Sequence, residues 1–170
     1  MNENEKYLWQ YVDKWARIKP NDEALVFNDT RMTWSQLAEA VDLAARAFLD
    51  IGVEKGDCIA MISMARPEFI IAFMAAAKVS TIWTGISPRF KVGEMQRILR
   101  DCRPSVLITV DRYEGANLVE RALTFSFGLS CIRDIISIGK ATSGVLDFNE
   151  YCSKPRMNMT AELQARIAEA

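Results

Sequence analysis

The chain has 170 residues, half of them hydrophobic and a quarter charged, and its 21 basic and 22 acidic side chains give a net charge of −1. This apolar content excludes a disordered chain, and the balanced charge argues against binding to nucleic acid or a membrane surface, which needs a sustained basic excess. With no histidine, the chain by itself cannot carry a serine–histidine–aspartate triad, an HExxH zinc site or a histidine general base.

The first third of the chain predicts a helix, a hairpin and a second helix. Residues 5–18 have apolar side chains at helical spacing, namely Leu8, Tyr11, Val12, Trp15 and Ile18. Two short apolar runs around a polar turn indicate a β-hairpin over residues 24–34. Thr33 and Gln36 fit a capping box that begins the next helix, and Gly52 fits the left-handed position beyond its end.

From Gly52 onward, strand and helix patterns alternate with short connections. The strands are predicted from continuous apolar runs at residues 58–63, 81–84, 105–110 and 134–138. The helices between them are predicted at residues 67–77, 92–102 and 118–123, and the first of these is apolar nearly all round, which predicts deep burial. This alternation predicts an α/β fold in which a parallel sheet is covered by helices on both faces, with a short N-terminal β-hairpin. Residues 154–158 resemble a linker, and a short helix is expected from Thr160.

Cysteine spacing and the N-terminal sequence bear on the cellular compartment. Four cysteines lie far apart and without ligand-like spacing, which favours buried, reduced thiols: Cys58, Cys102, Cys131 and Cys152. The first six residues are too polar and acidic for a signal or transit peptide. The longest apolar run, residues 69–77, is too short to cross a bilayer. We therefore expect a cytoplasmic protein with no transmembrane segment.

Familiar nucleotide-binding loops are absent from the sequence. There is no Gly-x-Gly-x-x-Gly turn and no Gly-x4-Gly-Lys-Ser/Thr loop. Thr142-Ser143-Gly144 resembles the opening of a phosphate loop, but Val145-Leu146-Asp147 follows it, so we interpret it as a turn. No residue receives a catalytic or metal-binding assignment.

The connection after the second strand of the sheet, residues 83–91, carries two cations, Arg89 and Lys91. Three further cations follow on the next predicted helix: Arg97, Arg100 and Arg103. One interpretation is an ordinary solvated helix face in which Glu94 pairs with Arg97. The other is a subsite for a phosphorylated ligand, because guanidinium groups match the geometry of phosphate. Spacing leaves both interpretations open.

Five segments occur in an unbroken order between about Ala24 and Tyr151. They are Met32-Thr-Trp-Ser-Gln-Leu37, Gly52-Val-Glu-Lys-Gly56-Asp57-Cys-Ile-Ala60, Arg66-Pro67-Glu68-Phe69, Lys78-Val79-Ser80 with Ile86-Ser87-Pro88-Arg89, and the stretch from Glu94 to Thr109. In the same order they resemble the T-Y-x-E-L segment, the G-V-x-x-G-D-x-V-A strand entry, the next helix start, the K-x-G … L-N-P-R pair and the E-L-x-x-I-L-x-D … V-L-I-T segment of adenylate-forming enzymes. The Ser-Pro-Arg form is most similar to acyl- and aryl-CoA ligases, whereas peptide-synthetase adenylation domains favour V-P-I-D.

The resemblance implies a ligase that forms an acyl adenylate from a fatty or aryl carboxylate and Mg-ATP, and then transfers the acyl group to coenzyme A. It also implies that Arg89 lies at the mouth of the coenzyme A tunnel and contacts the phosphate of that nucleotide. Three departures from the family pattern are conservative in size: Ala65 and Ser87 replace asparagine, and Ser80 replaces glycine.

The larger departure is the missing Thr-Ser-Gly-Thr-Thr-Gly-x-Pro-Lys loop that carries ATP in the family, together with all later motifs. We therefore expect residues 1–150 to be the first N-terminal subdomain of a longer ligase, with residues 151–170 leading as a linker and short helix to the missing loop. The expected partners are the remainder of that chain, the carboxylate and coenzyme A, and an uncovered sheet edge also favours self-association. The alternative is a free-standing, non-catalytic α/β interaction module of the same ancestry.

Overall fold

The computed structural model describes residues 5–169. The helices are α1 Leu8–Ile18, α2 Trp34–Asp50, α3 Pro67–Lys78, α4 Val92–Cys102, α5 Leu118–Gly128, α6 Phe148–Cys152 and α7 Thr160–Ala168, with a 3-10 turn at Met157–Met159. The strands are β1 Glu23–Phe27, β2 Thr30–Thr33, β3 Cys58–Ile62, β4 Ile82–Ile86, β5 Val106–Val110, β6 Arg112–Tyr113, β7 Ala116–Asn117, β8 Asp134–Ile138 and β9 Leu146–Asp147.

The main sheet has the order β4-β3-β5-β8-β9, and all of its neighbouring strands are parallel. Every residue of β3 and β5 is buried, which explains why these strands are continuously apolar in sequence. One helical layer contains α1, α2, α3, α6 and α7, which contact one another around α2. Because the strand order reverses at β3, right-handed crossovers place α4 and α5 on the opposite face. The predicted α/β fold with both faces covered is confirmed.

Local sequence signals place the ends of α2 correctly. Thr33 Oγ1 accepts the Gln36 backbone N–H at 3.3 Å, and Gln36 Oε1 accepts the Thr33 N–H at 2.9 Å, so the predicted capping box is present. At the other end, Gly52 has φ +76° and closes the helix in the left-handed conformation. The predicted β-hairpin is also present, as β1 paired with β2.

The predicted apolar face of α1 is only partly correct. Leu8, Tyr11 and Ile18 are exposed, whereas Trp9 and Val12 are buried. The reason is a polar contact on the inner side of the helix. Lys78 of α3 is buried and forms ion pairs with Asp13 of α1 at 2.9 Å and Asp42 of α2 at 2.7 Å, while its ammonium lies 5.0 Å from the Trp9 ring centroid. These contacts turn the Trp9 side of α1, rather than the Tyr11 side, toward the core.

Helix α3 is less buried than its composition predicts. Ile71, Ala72, Ala75 and Ala76 are buried, but four large apolar side chains on its other side are only partly covered: Phe69, Ile70, Phe73 and Met74. Two of them contact Trp83, with ring centroids 5.3 Å away for Phe69 and 5.8 Å for Phe73. Trp83 belongs to β4, which is an edge strand of the sheet. The cover on this flank is therefore incomplete within the described residues.

The tail after α6 packs against α2. Arg156 is buried, donates to Asp50 Oδ2 at 2.7 Å and stacks on Tyr151, with 4.0 Å between its guanidinium carbon and the ring centroid. Asp50 accepts hydrogen bonds from the side chains of both Tyr151 and Arg156, and these bonds lower the pKa of its carboxyl. Leu163 of α7 is buried as well. Residues 151–169 thus form a packed extension of the helical layer.

The carboxyl ends of β5 and β8 approach each other closely at Gly139. A Cβ on Gly139 would lie 2.7 Å from Asp111 Cγ, and the residue has φ +107°. Only glycine fits both the approach and the backbone conformation. Gly144, at φ +77°, has open space where a Cβ would lie.

Gly139→Ala should therefore lower the free energy of unfolding by about 1–3 kcal/mol through strain and the clash with Asp111. Gly144→Ala is the matched control and should cost less, because it carries backbone strain without the clash. Urea denaturation of both variants measures the difference. Equal losses would contradict the close approach at Asp111.

Ser80 occupies the position where the family pattern has glycine. It follows α3 with φ +61°, and its neighbour Thr81 donates its backbone N–H to Ala76 at 3.0 Å. Helices that end in this left-handed turn usually have glycine at the position that Ser80 occupies. Replacing glycine with serine is thus conservative in size, but it puts a side chain at a backbone conformation that favours glycine.

Ser80→Gly should raise the free energy of unfolding by about 1 kcal/mol. Glycine removes the strain of a side chain in the left-handed conformation, and this gain exceeds the extra conformational entropy that glycine loses on folding. Thermal and urea denaturation measure the gain. Ser130→Gly, at an exposed position that does not have positive φ, serves as the control and should be neutral or destabilising. An equal effect of the two changes would show that Ser80 is unstrained.

Candidate functional site

The candidate site lies at the carboxyl ends of β3, β4 and β5. The strand order reverses at β3, because its following helix α3 leads to β4 on one side while β5 pairs on the other. Crevices at such a reversal are the usual ligand sites of doubly wound α/β folds. The chain leaves β3 through Met64 and Ala65, which are exposed.

The connections that follow β4 and β5 meet through Arg89 and Tyr113. Arg89 Nε donates to Tyr113 Oη at 2.7 Å, and the Arg89 backbone N–H donates to Ser87 Oγ at 3.3 Å. Since β4 and β5 are separated by β3, this hydrogen bond spans the end of the central strand. The Tyr113 contact raises the pKa of the Arg89 guanidinium, which keeps it cationic. The structure therefore joins the predicted residue Arg89 to the loop that follows β5.

The hydrogen bond leaves the outer edge of the guanidinium available. Arg89 is exposed, and its Nη groups have no hydrogen-bond acceptor within residues 5–169. Pro88, immediately before it, is buried and anchors the loop. Two parallel N–H donors on a held guanidinium match the oxygens of a phosphate group. The arrangement can therefore bind a phosphate at the solvent side of the strand ends.

The other cations predicted near this segment belong to α4 and its end rather than to the loop that carries Arg89. Arg97, Arg100 and Arg103 are exposed on α4 and at its end. The Glu94 carboxylate accepts the Lys91 backbone N–H at 2.7 Å and so caps α4. Within the described part of the chain it forms no ion pair with Arg97, so the pairing assumed for a solvated helix face is not observed.

Sequence reasoning missed Tyr113 and Asp111. Tyr113 belongs to the two-residue strand β6, which is too short to give an alternating pattern. Asp111 follows β5 directly, and its carboxylate accepts the backbone N–H of Arg112 at 2.8 Å and of Lys140 at 3.2 Å. The signal in the sequence that could have found both residues was their position shortly after the buried strand β5. Asp111 holds the loops together and is not free for a ligand.

The segment from Thr142 to Gly144 is a turn, as predicted. Val145 donates its backbone N–H to Thr142 at 3.0 Å, and the short strand β9 follows. No cluster of three or more side chains suited to holding a metal ion occurs among residues 5–169. Within the same residues, no helix has both the length and the apolar character needed to cross a membrane.

Apart from the site at the strand ends, a concavity of about 380 Å³ lies between the β1–β2 hairpin, α2, the start of α3 and α6. Its walls are mostly apolar, and the Arg66-Pro67-Glu68 motif lies at its rim. Arg66 binds Glu68 through two hydrogen bonds, Nε to Oε2 at 2.7 Å and Nη2 to Oε1 at 3.0 Å. The two charged groups of the motif therefore satisfy each other.

Together, the parallel sheet and its reversed strand order define a doubly wound α/β unit. A model of the AMP-binding enzyme family matches residues 12–153. The chain belongs to this family, as its motif order indicated.

Proteins to which the chain is similar include several CoA ligases. The chain is 28% identical to an indoleacetate–CoA ligase of Aromatoleum aromaticum, over 62% of this chain and 21% of that protein. It is 33% identical to a mitochondrial medium-chain acyl-CoA ligase of Pongo abelii, over 57% of this chain and 16% of that protein. The structure of an anthranilate CoA ligase in complex with anthranoyl-AMP superposes with a TM-score of 0.79 and 25% identity, covering 86% of this chain and 27% of that one. The chain therefore spans about a fifth of the curated relatives it matches.

Proposed function

We propose that this chain is the N-terminal part of an ATP-dependent acyl- or aryl-CoA ligase. The complete enzyme would join a carboxylate to AMP, release pyrophosphate, and transfer the acyl group from the adenylate to coenzyme A. The observation that carries the proposal is the family match over residues 12–153. Relatives that are CoA ligases, and that are several times longer than this chain, support it.

Residues 1–150 would form the first subdomain, and residues 151–170 would lead to the ATP loop. In support, α7 packs on α2 and therefore directs the chain along the helical layer. What this part contributes to the enzyme is scaffold and one wall of the site. The carboxylate, Mg-ATP and most of coenzyme A would be bound by later segments, because the motifs for them are missing from the sequence.

Arg89 is the one residue to which we assign a ligand contact, with the ribose phosphate of coenzyme A. Its exposed position at a strand end, its rigid Pro88 and its Nε–Tyr113 hydrogen bond support this role. Tyr113 would act as a positioning residue, because it holds the guanidinium without contacting the nucleotide. Metal-free recognition of a phosphate by a held arginine is common in nucleotide sites.

The gene's reading frame separates this proposal from the free-standing interaction module. A frame that continues beyond Ala170 into a Thr-Ser-Gly-Thr-Thr-Gly sequence supports the ligase. A stop codon after Ala170 in the transcript, together with an intact cellular protein of 19.2 kDa, would support the module instead.

We expect the 170-residue chain alone to have no ligase activity and no measurable affinity for Mg-ATP, because the nucleotide loop of the family is missing. Isothermal titration with Mg-ATP and an ATP–pyrophosphate exchange assay measure these properties. Micromolar binding, or exchange above the background of a heat-denatured sample, would contradict the expectation.

In the complete enzyme, Arg89→Ala should raise the KM for coenzyme A several-fold and leave adenylate formation unchanged. Tyr113→Phe should raise the same KM by a smaller factor, because the guanidinium stays present but is less well oriented. Both effects should weaken at high salt, since the contact is exposed. Steady-state kinetics of thioester formation and of pyrophosphate exchange separate the two half-reactions.

Arg97→Ala is the matched control, an exposed α4 arginine outside the loop, and should not change the KM. Dephospho-coenzyme A tests which group is recognised. If Arg89→Ala impairs coenzyme A and dephospho-coenzyme A equally, Arg89 does not contact the ribose phosphate.

A further inference from the structure

The two edges of the main sheet differ in how well they resist pairing with another strand. At one edge, β9 has only two residues, and one of them is Asp147, whose carboxylate accepts the Glu150 backbone N–H at 2.8 Å and caps α6. At the other edge, β4 has five residues, Ile82–Ile86, and none of them is charged or a proline. Edge strands that stay unpaired are usually short or carry charges or proline. Because β4 has none of these protections, it is the edge to which another strand can add.

The backbone of β4 presents hydrogen-bonding groups to the outside at alternate residues. Ile82 donates its N–H to the Asp57 carbonyl at 2.8 Å, and the Ile86 carbonyl accepts a backbone N–H from the chain just after β3 at 3.3 Å. Since a parallel strand bonds to one neighbour through every second residue, Trp83 and Gly85 turn their N–H and carbonyl groups away from β3. These outward groups have no backbone partner among residues 5–169.

An antiparallel pair of two β4 strands satisfies these groups. With a two-fold axis at Thr84, all five residues overlap, and Trp83 of one copy lies opposite Gly85 of the other. Both of these residues point their backbone groups outward, so each pair exchanges two N–H···O bonds. Thr84 then faces the same residue of the second copy as a non-hydrogen-bonded pair. An antiparallel ladder alternates between these two kinds of pair, so the register agrees with the bonding pattern.

The side chains on the α3 face of β4 fit the same register. It places the large indole of Trp83 opposite Gly85, which has no side chain, and an aromatic residue across from an edge glycine is a stabilising pair. A Cβ on Gly85 would lie 3.2 Å from Cζ of Phe69, so this ring already packs over the glycine. Phe69 and Phe73 both contact Trp83 and are only partly covered. The indole of a second copy would therefore extend an existing aromatic cluster.

We propose that two copies of this chain associate through β4, as an antiparallel pair about a two-fold axis at Thr84 that joins their two sheets into one. A second copy is the occupant because the same five residues supply both halves of the contact, as an isologous interface requires. On the α4 face, the exposed Ile82 lies opposite Ile86 of the other copy. The contact is small, and stable interfaces bury at least about 1,200 Å² in total, so we expect micromolar rather than nanomolar affinity. This association does not depend on the proposed ligase activity.

Sedimentation velocity of the 170-residue chain, from low micromolar to millimolar concentration, tests the association. The expected result is a reversible equilibrium between the 19.2 kDa monomer and a dimer. Ile82→Lys should weaken the dimer about tenfold or more, because the contact would desolvate a charge beside Ile86 of the other copy. Ile18→Lys is the matched control, since Ile18 has the same exposed fraction of 58% but lies at the end of α1.

Circular dichroism of both variants verifies that the fold is retained. A chain that stays monomeric at every concentration, an open-ended aggregate in place of a dimer, or equal effects of the two lysine changes would each overturn the proposal.

Amide hydrogen exchange, measured by NMR at low and high concentration of the unmodified chain, tests the register without any substitution. The N–H groups of Trp83 and Gly85 should exchange more slowly as the concentration rises, because they become bonded to the second copy. Those of Ile82 and Thr84 face β3 and should be protected at both concentrations. If the chain dimerises while the exchange of Trp83 and Gly85 is unchanged, the dimer uses another surface and the proposal is wrong.

Discussion

The burial of β3 is the constraint on which the rest of the structure depends. All five residues of this strand are buried, and its backbone pairs with β4 on one side and with β5 on the other. A strand in the middle of a parallel sheet needs helices on both faces, and the right-handed crossovers on its two sides place those helices on opposite faces. The strand order therefore reverses at β3, and the helices divide between two faces. A charged residue within β3 would have no partner in this environment.

The same strand brings distant parts of the chain together at both of its ends. At the carboxyl end, the loops after β4 and β5 meet in the hydrogen bond between Arg89 and Tyr113. At the amino end, Ser105, which follows α4, donates its backbone N–H to the Cys58 carbonyl at 2.9 Å and so returns the chain to the sheet. Both contacts join segments that are distant in sequence and that meet at the two ends of β3. The central strand thus positions the loop that carries Arg89 and the turn that follows α4.

Polar contacts decide details that hydrophobic patterns leave open. The apolar residues of α1 occur on more than one face, so periodicity alone does not select its orientation. The buried ammonium of Lys78 selects it, because a buried cation needs the carboxylates of Asp13 and Asp42 within ion-pair distance. The incomplete cover of α3 has a similar origin, since β4 beside it is an edge strand. In both places the prediction was wrong because an apolar helix face was assumed to be buried, although the sequence does not show which element covers it.

The sequence by itself determined most of the longer helices and strands, their order, the α/β class and the family, because caps and apolar periods depend on residues a few positions apart. Thr33 with Gln36 and the run of β3 are examples. The sequence also singled out Arg89 as a candidate, through its place after a strand and its resemblance to the Asn-Pro-Arg motif of the family, and that role stays a prediction. Only the tertiary structure decided that Tyr113 holds this arginine and that Asp111 closely approaches Gly139. Such contacts depend on which strands become neighbours in the sheet, and that choice is made by long-range packing rather than by local sequence.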